Sequence, residues 1–437
     1  MDDDVKSETA PPVHEPVLTL ISKYSRLVGF TETDFPSIFF MLVSSPKAVF
    51  EVVFCELLGK VMLLAETDPA PTIPSWYPLI DSVAPFTVLN FKWLSIVLSI
   101  VSSFTLAPDT AVGLTQHLGM SPRWLDHIPM GGASGGVALR RATRAIQAGD
   151  ADIIACIGAD TNHVDTFRQT VATFSQFAND AVYPYGSGGP NSSFAFLTDH
   201  YMTEFGAERE DFGRICLAQR QNALPVAHAM MKRPLSMDEY LNARLIAEPL
   251  RLFDCVMPCA GAEAFLVMSI DRAKSLGLDY VEVMATIERH NAFPEDPVQY
   301  RAGWAVDVED FYGQAGLGPE DIDLMQAYDD YPVICFMQIE DLGFCGKGDA
   351  AKFVRERDLT VECGDFPFNT SGGQLSTGQA GAGGCYIGVV ETLRQLTGQV
   401  QGHQVENARH GLAAFFGMIN YDRGLCTSAI ILKRADA

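Results

Sequence analysis

Two glycine-rich segments, one in each half of the chain, constrain the fold most strongly. The first covers residues 127–139 (HIPMGGASGGVAL), leads into a helix from Val137 to Ala148, and is followed by an apolar strand at 152–158. The second covers residues 369–384 (NTSGGQLSTGQAGAGG). A glycine-rich turn, a helix and a buried strand in this order predict a βαβ unit of a parallel sheet. Because each half has its own glycine-rich turn and helix, the sequence predicts an internally duplicated α/β fold.

The composition excludes several classes of protein. The 437 residues, 48% of them hydrophobic, suffice for a large core in two structural halves. A net charge of −23 argues against binding to nucleic acid. The first glycine-rich turn has neither the spacing of a dinucleotide fingerprint nor a Gly-Lys-Ser/Thr triplet. Ten scattered cysteines without a Cys-x-x-Cys pair and nine histidines without His-x-x-x-His spacing predict a reducing compartment and no metal site.

The first hundred residues are unusual. Residues 1–25 are predicted to form a disordered acidic tail. They lack the pattern of a secretory signal, so we expect a cytoplasmic protein, with a peroxisomal or mitochondrial location left open. Residues 36–104 are more apolar than the rest of the chain, above all at 93–106. That stretch spans ~15 residues where a membrane-crossing helix needs ~20. The sequence therefore predicts no membrane span, and favours a core helix over a membrane-touching hairpin.

Two tyrosines lie where a strand passes into a helix. Residues 321–325 have the pattern of a strand, and residues 333–342 carry an apolar stripe of helical period. Tyr328 and Tyr331 fall between them. Such a junction is where α/β proteins commonly place reacting groups. The local pattern alone nevertheless favours two ordinary half-buried tyrosines.

Several motifs together resemble the thiolase superfamily, in particular its sterol-carrier and lipid-transfer-protein branch. They are residues 131–136 (GGASGG), 183–186 (YPYG), 246–255 (IAEPLRLFDC), 340–348 (EDLGFCGKG), 369–374 (NTSGGQ) and 390–398 (VETLRQLTG). The resemblance implies two similar βαβαβαββ halves in a five-layered αβαβα sandwich, a homodimer and an acyl-CoA substrate. The implied halves are 26–272, with 36–104 atypical and 183–260 as a cap and loop region, and 273–437.

The chain departs from the thiolase pattern at three decisive positions. Gly132 aligns with the nucleophilic cysteine, Gln379 with a histidine that activates it, and Tyr328 with the histidine of the branch's His-Asp-x-Phe motif. In its missing cysteine and its Tyr-Asp pair at 328–329 the chain resembles the cysteine-less lipid-transfer-protein aldolases of steroid side-chain breakdown, although these have a second tyrosine where this chain has Gln379. That resemblance implies retro-aldol cleavage of a β-hydroxyacyl-CoA in lipid or steroid side-chain metabolism. It also implies a small OB-fold partner and no cofactor beyond the coenzyme A thioester itself.

The resemblance also implies the residues of the site. The expected catalytic residues are Tyr328, Asp329 and Tyr386, and the expected substrate-binding residues are Gly132, Ser134, Gly135, Asn369, Gly372, Gly373 and Gln379. Retro-aldol chemistry needs a base for the hydroxyl proton and an oxyanion site for the thioester enolate. Tyr328 would serve as the base if nearby donors lowered its pKa below the usual ~10.

Two other functions stay open. One is acyl transfer of the acetyl-CoA acyltransferase type, with a nucleophile other than the residue at 132. Ser134 is a candidate, but neither His127 nor His163 lies in a motif that would activate it. The other is an inactive relative that only binds acyl-CoA or lipid.

Overall fold

The computed structural model describes residues 16–19, 97–104, 110–117, 120–161, 179–186, 189–420 and 423–435. The rest of the predicted acidic tail and most of the atypical segment 36–104 lie outside the described residues.

Nine of the eleven described strands form one sheet with the order β3-β2-β4-β7-β1-β8-β11-β10-β9. The strands are β1 (Pro16–Thr19), β2 (Val97–Ser102), β3 (Leu125–His127), β4 (Ile153–Thr161), β5 (Leu245–Ala247), β6 (Leu250–Arg251), β7 (Ala260–Ser269), β8 (Tyr280–His290), β9 (Leu324–Ala327), β10 (His410–Asn420) and β11 (Arg423–Arg434). β2 pairs parallel to β3 and β4, and β9 pairs parallel to β10, whereas β7, β8 and β11 pair antiparallel to their neighbours. The first four strands in the order come from one half of the chain and the last four from the other.

Helices cover both faces of these two strand groups. The described α-helices are α1 (Thr110–His117), α2 (Ser134–Ala148), α3 (Asn179–Val182), α4 (Pro190–Phe205), α5 (Arg209–Ala223), α6 (Met237–Leu241), α7 (Ile270–Leu276), α8 (Trp304–Ala315), α9 (Pro332–Asp341), α10 (Ala350–Glu356), α11 (Gly373–Thr377) and α12 (Ile387–Thr397). α2 and α12 each contact strands of both groups, while α1 and α7 pack on the outer face of one group and α8 on the outer face of the other. The layers therefore run helix, first strand group, helix, second strand group, helix, and β1 joins the two strand groups.

The central helix α2 shows why these residues form these layers. Leu139, Ala142 and Ile146 lie on one buried side of it and join the main core, because positions i, i+3 and i+7 share one face of a helix. Gly149 ends the helix with φ +79°, a left-handed conformation that glycine adopts without steric cost. The N-terminus of α2 begins directly after the turn at Gly131–Ala133. The first glycine-rich segment is thus carried at the end of a fully packed helix.

Two segments differ from the sequence-based expectation. Residues 93–106 are predicted as a core helix or a membrane-touching hairpin, but their described part contains the strand β2, which lies between β3 and β4. A short apolar run with valines and isoleucines fits a buried strand as well as a helix, and its neighbours decide the outcome. Within the predicted tail, Pro16–Thr19 form β1, which pairs with both β7 and β8. Among the described residues, no helix is long and apolar enough to cross a membrane.

Candidate active site

The backbone of Tyr328 is fixed from two sides at the end of β9. Its N–H donates to the carbonyl of Ala414 in β10 at 3.0 Å and to Oε1 of Gln338 at 3.0 Å. Nε2 of Gln338 donates in turn to the Tyr328 carbonyl at 2.7 Å. Gln338 lies on α9, which begins four residues after Tyr328, and it is fully buried. The strand-to-helix junction predicted from the sequence is therefore a rigid support for this one side chain.

The ring of Tyr328 lies directly against Gly132. A Cβ atom on residue 132 would lie 2.5 Å from Cε2 of Tyr328, and it would overlap Cζ of that ring and the backbone oxygen of Phe416. Real Cβ atoms essentially never come within 3.0 Å of such neighbours. A side chain at 132, cysteine included, and the ring of Tyr328 thus compete for the same space. The carbon that bears the phenolic hydroxyl occupies the position at which a nucleophile on residue 132 would begin.

The hydroxyl of Tyr328 has two protein partners. It donates to Oδ2 of Asp330 at 2.8 Å, and it also bonds with the side chain of Gln379. Oε1 of Gln379 accepts the N–H of Gly381 at 3.1 Å, which leaves its Nε2 to donate to the phenol oxygen. Gln379 therefore reaches Tyr328, although it carries no group that can act as a base.

The condition set for Tyr328 as a simple base, a lowered pKa, is not met. Burial raises the pKa of Tyr328 well above its usual value, and the neighbouring Asp330 raises it further, while the bond from Gln379 opposes this only in part. A phenol in this environment is neutral at physiological pH. Tyr328 can therefore take up a proton only if it passes its own proton on.

Asp329 ties the second glycine-rich segment to the junction. Its Oδ1 accepts the N–H of Gln374 at 2.9 Å and its Oδ2 accepts the N–H of Leu375 at 3.1 Å. Gly373 passes so close that any Cβ there would overlap the Asp329 carboxylate, and its φ of +57° also favours glycine. Burial raises the pKa of Asp329 to about 6, although these backbone N–H groups stabilise its charged form. Both carboxylate oxygens are used in holding α11 in place.

Asp330 is the residue that sequence reasoning missed. Besides accepting the Tyr328 hydroxyl, it has a second oxygen, Oδ1, that is shielded from solvent and without a hydrogen-bond partner among the described residues. Removal from water raises the pKa of Asp330 to about 7; the Tyr328 hydrogen bond opposes this rise, and the nearby Asp329 adds to it. The only signal in the sequence was its place next to Asp329, two residues after Tyr328.

Asn369 lies in the same site, beside Tyr328 and Gly373. Its Oδ1 accepts the N–H of Ala327 at 2.7 Å, and its backbone has φ +44°. Its Nδ2 and the Oε1 of Gln374 are buried without partners among the described residues. Both residues line a cavity of about 10 Å³ that also borders Tyr328 and Gly373, a volume close to that of a single enclosed water site. The structure thus brings together six of the residues expected in the site: Tyr328, Asp329, Gly132, Asn369, Gly373 and Gln379.

The other predicted residues make packing contacts. Ser134 is fully buried at the start of α2, where its Oγ donates to the Ile128 carbonyl at 3.0 Å. A Cβ on Gly135 would overlap the carbonyl of Cys385, and one on Gly372 would overlap the side chain of Ala223. The hydroxyl of Tyr386 lies 3.0 Å from Oγ of Ser102 at the end of β2 and makes its hydrogen bond there.

One cysteine has the partners of a nucleophile. Sγ of Cys426 lies 3.2 Å from Nδ1 of His290, and Nε2 of His290 lies 2.9 Å from Oε1 of Glu288. Burial nevertheless raises the pKa of Cys426 to about 11, and Glu288 raises it further. The thiol is therefore protonated at neutral pH, which weighs against acyl transfer through this residue.

Known proteins with similar sequences decide the family. The profile described as "Thiolase C-terminal domain-like" matches residues 287–429. The 17-hydroxy-3-oxo-4-pregnene-20-carboxyl-CoA lyase of Mycobacterium tuberculosis is 30% identical, and the match covers 76% of this chain and 87% of that protein. The chain belongs to the thiolase superfamily. The resemblance inferred from the sequence motifs is thereby confirmed.

Two further similarities agree with this membership. The steroid side-chain-cleaving aldolase of Thermomonospora curvata is 29% identical over 68% of this chain and 79% of that protein. Among solved structures, the Ltp2-ChsH2(DUF35) aldolase superimposes with a TM-score of 0.65 at 25% identity, covering 78% of this chain and 88% of that chain. This thiolase-superfamily chain therefore has the predicted fold of two α/β halves around a central helix layer.

Proposed function

We propose that this protein cleaves a carbon–carbon bond of a β-hydroxyacyl-CoA by a retro-aldol reaction. The observation that supports this best is the overlap between the Tyr328 ring and any side chain at residue 132. The site therefore presents a phenol where a nucleophilic thiol would begin, and this favours proton transfer over formation of an acyl-enzyme. The relatives described as a lyase and as an aldolase point to the same reaction class.

The reaction needs a base, an oxyanion site and nothing covalent. The β-hydroxyl gives up its proton near the Tyr328 oxygen, the bond between the α and β carbons breaks, and the β carbon becomes a carbonyl. The released electron pair forms a thioester enolate, which backbone N–H groups of the two glycine-rich segments would stabilise. Asp329 serves this site by holding α11 and the second glycine-rich segment in place. Tyr386 would support the first segment through Ser102 rather than act on the substrate.

The substrate class and the assembly belong to the same proposal. A coenzyme A thioester of a steroidal acyl group fits the names of the two relatives. The Ltp2-ChsH2(DUF35) aldolase favours a small partner of that kind, of the OB-fold type expected from the sequence. We propose a homodimer that requires no cofactor beyond the thioester.

A product assay tests the proposal. Purified protein, with and without the small partner, would be incubated with steroidal and linear β-hydroxyacyl-CoA substrates, and products would be identified by mass spectrometry. We expect a carbonyl product together with a shortened acyl-CoA. Tyr328→Phe should lower kcat about 10²- to 10⁴-fold, the usual worth of a positioned acid–base group, with little change in KM.

Tyr312→Phe is the matched control. Tyr312 is also a buried tyrosine whose hydroxyl bonds, at 2.9 Å, to the carbonyl of Leu342, but it lies on α8 away from Gly132. Its substitution should leave kcat unchanged while it reports the cost of losing a buried hydroxyl. An unchanged kcat in Tyr328→Phe would overturn the role of Tyr328. Transfer of an acyl group to a second thiol, giving a new thioester instead of a free carbonyl product, would overturn the reaction class.

A further inference from the structure

We infer that Asp330 is the terminal proton acceptor of the site and receives the substrate's proton through Tyr328. This inference rests on the proposed retro-aldol function and adds a catalytic group to it. Asp330 is the residue whose carboxylate accepts the Tyr328 hydroxyl, at 2.8 Å. Asp329 cannot take this role, because both of its oxygens accept backbone N–H groups of α11.

The hydrogen bonds around the phenol leave one lone pair of its oxygen for a further donor. The Tyr328 oxygen donates to Asp330 and accepts from Gln379, so one lone pair remains for the substrate hydroxyl. Gln379 keeps its orientation through the Gly381 N–H. A hydroxyl placed on that lone pair can give its proton to Tyr328 while Tyr328 gives its own to Asp330. The phenol then never carries a full negative charge, which its burial would oppose.

The protons and electrons balance across the step. Before reaction, Asp330 is a carboxylate and Tyr328 a phenol. When the bond between the α and β carbons breaks, the hydroxyl proton moves to Tyr328, the phenol proton moves to Asp330, and the bonding electrons enter the thioester enolate. The enolate then takes up one proton at its α carbon, which balances the one held by Asp330. The enzyme returns to its starting state without a further reagent.

Most of the ionisable groups that face Asp330 do not change charge near pH 7, so Asp330 is the main group that titrates there. They are the hydroxyls of Tyr328 and Tyr331, the carboxylate of Asp329 and the thiols of Cys255, Cys335 and Cys385. Burial raises the pKa of each tyrosine and thiol in this set, so these groups stay neutral near pH 7. Asp329 is the neighbour that also titrates, with its pKa raised by burial to about 6. The raised pKa of Asp330, about 7, places its charge change in the range where the enzyme would work.

Asp330→Asn tests the inference because it keeps the size and polarity of the side chain and removes the basic oxygen. In the wild type, kcat/KM should rise as the pH rises through about 7 and Asp330 ionises. The variant should lose about 10²- to 10⁴-fold in kcat and show no such rise near pH 7. Asp310→Asn, an exposed position on α8, is the matched control and should keep both the rate and the pH profile.

The outcomes separate the inference from the proposed function. Wild-type kcat and an unchanged pH profile in Asp330→Asn, with Tyr328→Phe inactive, would overturn the relay and leave the retro-aldol function standing. Absence of cleavage by the wild type with every substrate and with the partner would overturn both. If Asp330→Asn does not fold, a proton inventory in mixed H₂O and D₂O on the wild type decides. A curved inventory supports two protons moving together, and a linear one contradicts it.

Discussion

At the scale of single residues, Gly132 and Tyr328 form one steric unit. Because a Cβ on residue 132 would overlap the ring of Tyr328 and the backbone oxygen of Phe416, Gly132→Ala should destabilise the fold by about 1–3 kcal/mol, the usual cost of overpacking a tight core. It should also lower kcat, since the ring must shift. Urea unfolding and the cleavage assay would measure the two effects.

Gly313→Ala is the control for this substitution. Gly313 lies in α8, is exposed, and has nothing within 4 Å of the position of an added Cβ. Alanine there should stabilise the helix by about 0.5–1 kcal/mol. If both alanine variants changed stability by similar amounts and in the same direction, the steric account of Gly132 would fail.

At the scale of elements, the junction between β9 and α9 holds the backbone of Tyr328 in place. Gln338→Leu removes the side chain that bonds both the N–H and the carbonyl of Tyr328. The carbonyl would lose that donor within the core, so we expect a loss of about 1–3 kcal/mol in the free energy of unfolding and a lower kcat at similar KM. Gln399→Leu, at an exposed position, should stay within about 0.5 kcal/mol of the wild type.

The elements also show how far the sequence alone can lead. The helix expected at 333–342 and the strand expected at 152–158 are both present, because their apolar patterns are long and regular. β1 and β2 were not predicted as strands, since each is a short segment defined by neighbours distant in the sequence. The assignment of Tyr328 and Gly132 to one site followed from a family resemblance, but the contact between them and the hydrogen bond from Tyr328 to Asp330 did not. That bond joins residues two positions apart and depends on how their side chains are oriented, which the periodicity of apolar residues does not reveal.

At the scale of the whole molecule, buried carboxylates set the pH dependence of stability. Removal from water raises the pKa of Asp329 to about 6, of Asp330 to about 7 and of Asp341 to about 6. Between the usual value near 4 and these raised values the folded state binds more protons than the unfolded state. The free energy of unfolding should therefore fall as the pH rises from about 4 to about 7.

Among the described residues, a buried histidine acts in the opposite direction within this range. Burial lowers the pKa of His228 to about 4, so its contribution to stability grows as the pH rises from about 4 to 6.5. Three carboxylates outweigh one imidazole, and the repulsion within a chain of net charge −23 adds to their effect. Urea unfolding at pH 5 and at pH 7.5 measures the balance, and Asp330→Asn should show a smaller difference than the wild type. Greater stability at pH 7.5 would contradict the raised pKa values.

The shared volume of Gly132 and Tyr328 has a consequence for how such a site evolves. A cysteine gained at 132 would meet the tyrosine ring, and a tyrosine lost first would leave a site with neither a thiol nor a phenol. Each single change passes through a defective intermediate, so the two positions are epistatic. Among relatives, residues 132 and 328 should therefore change together. The identities of the two residues would then distinguish relatives that have a thiol at this site from relatives that have a phenol.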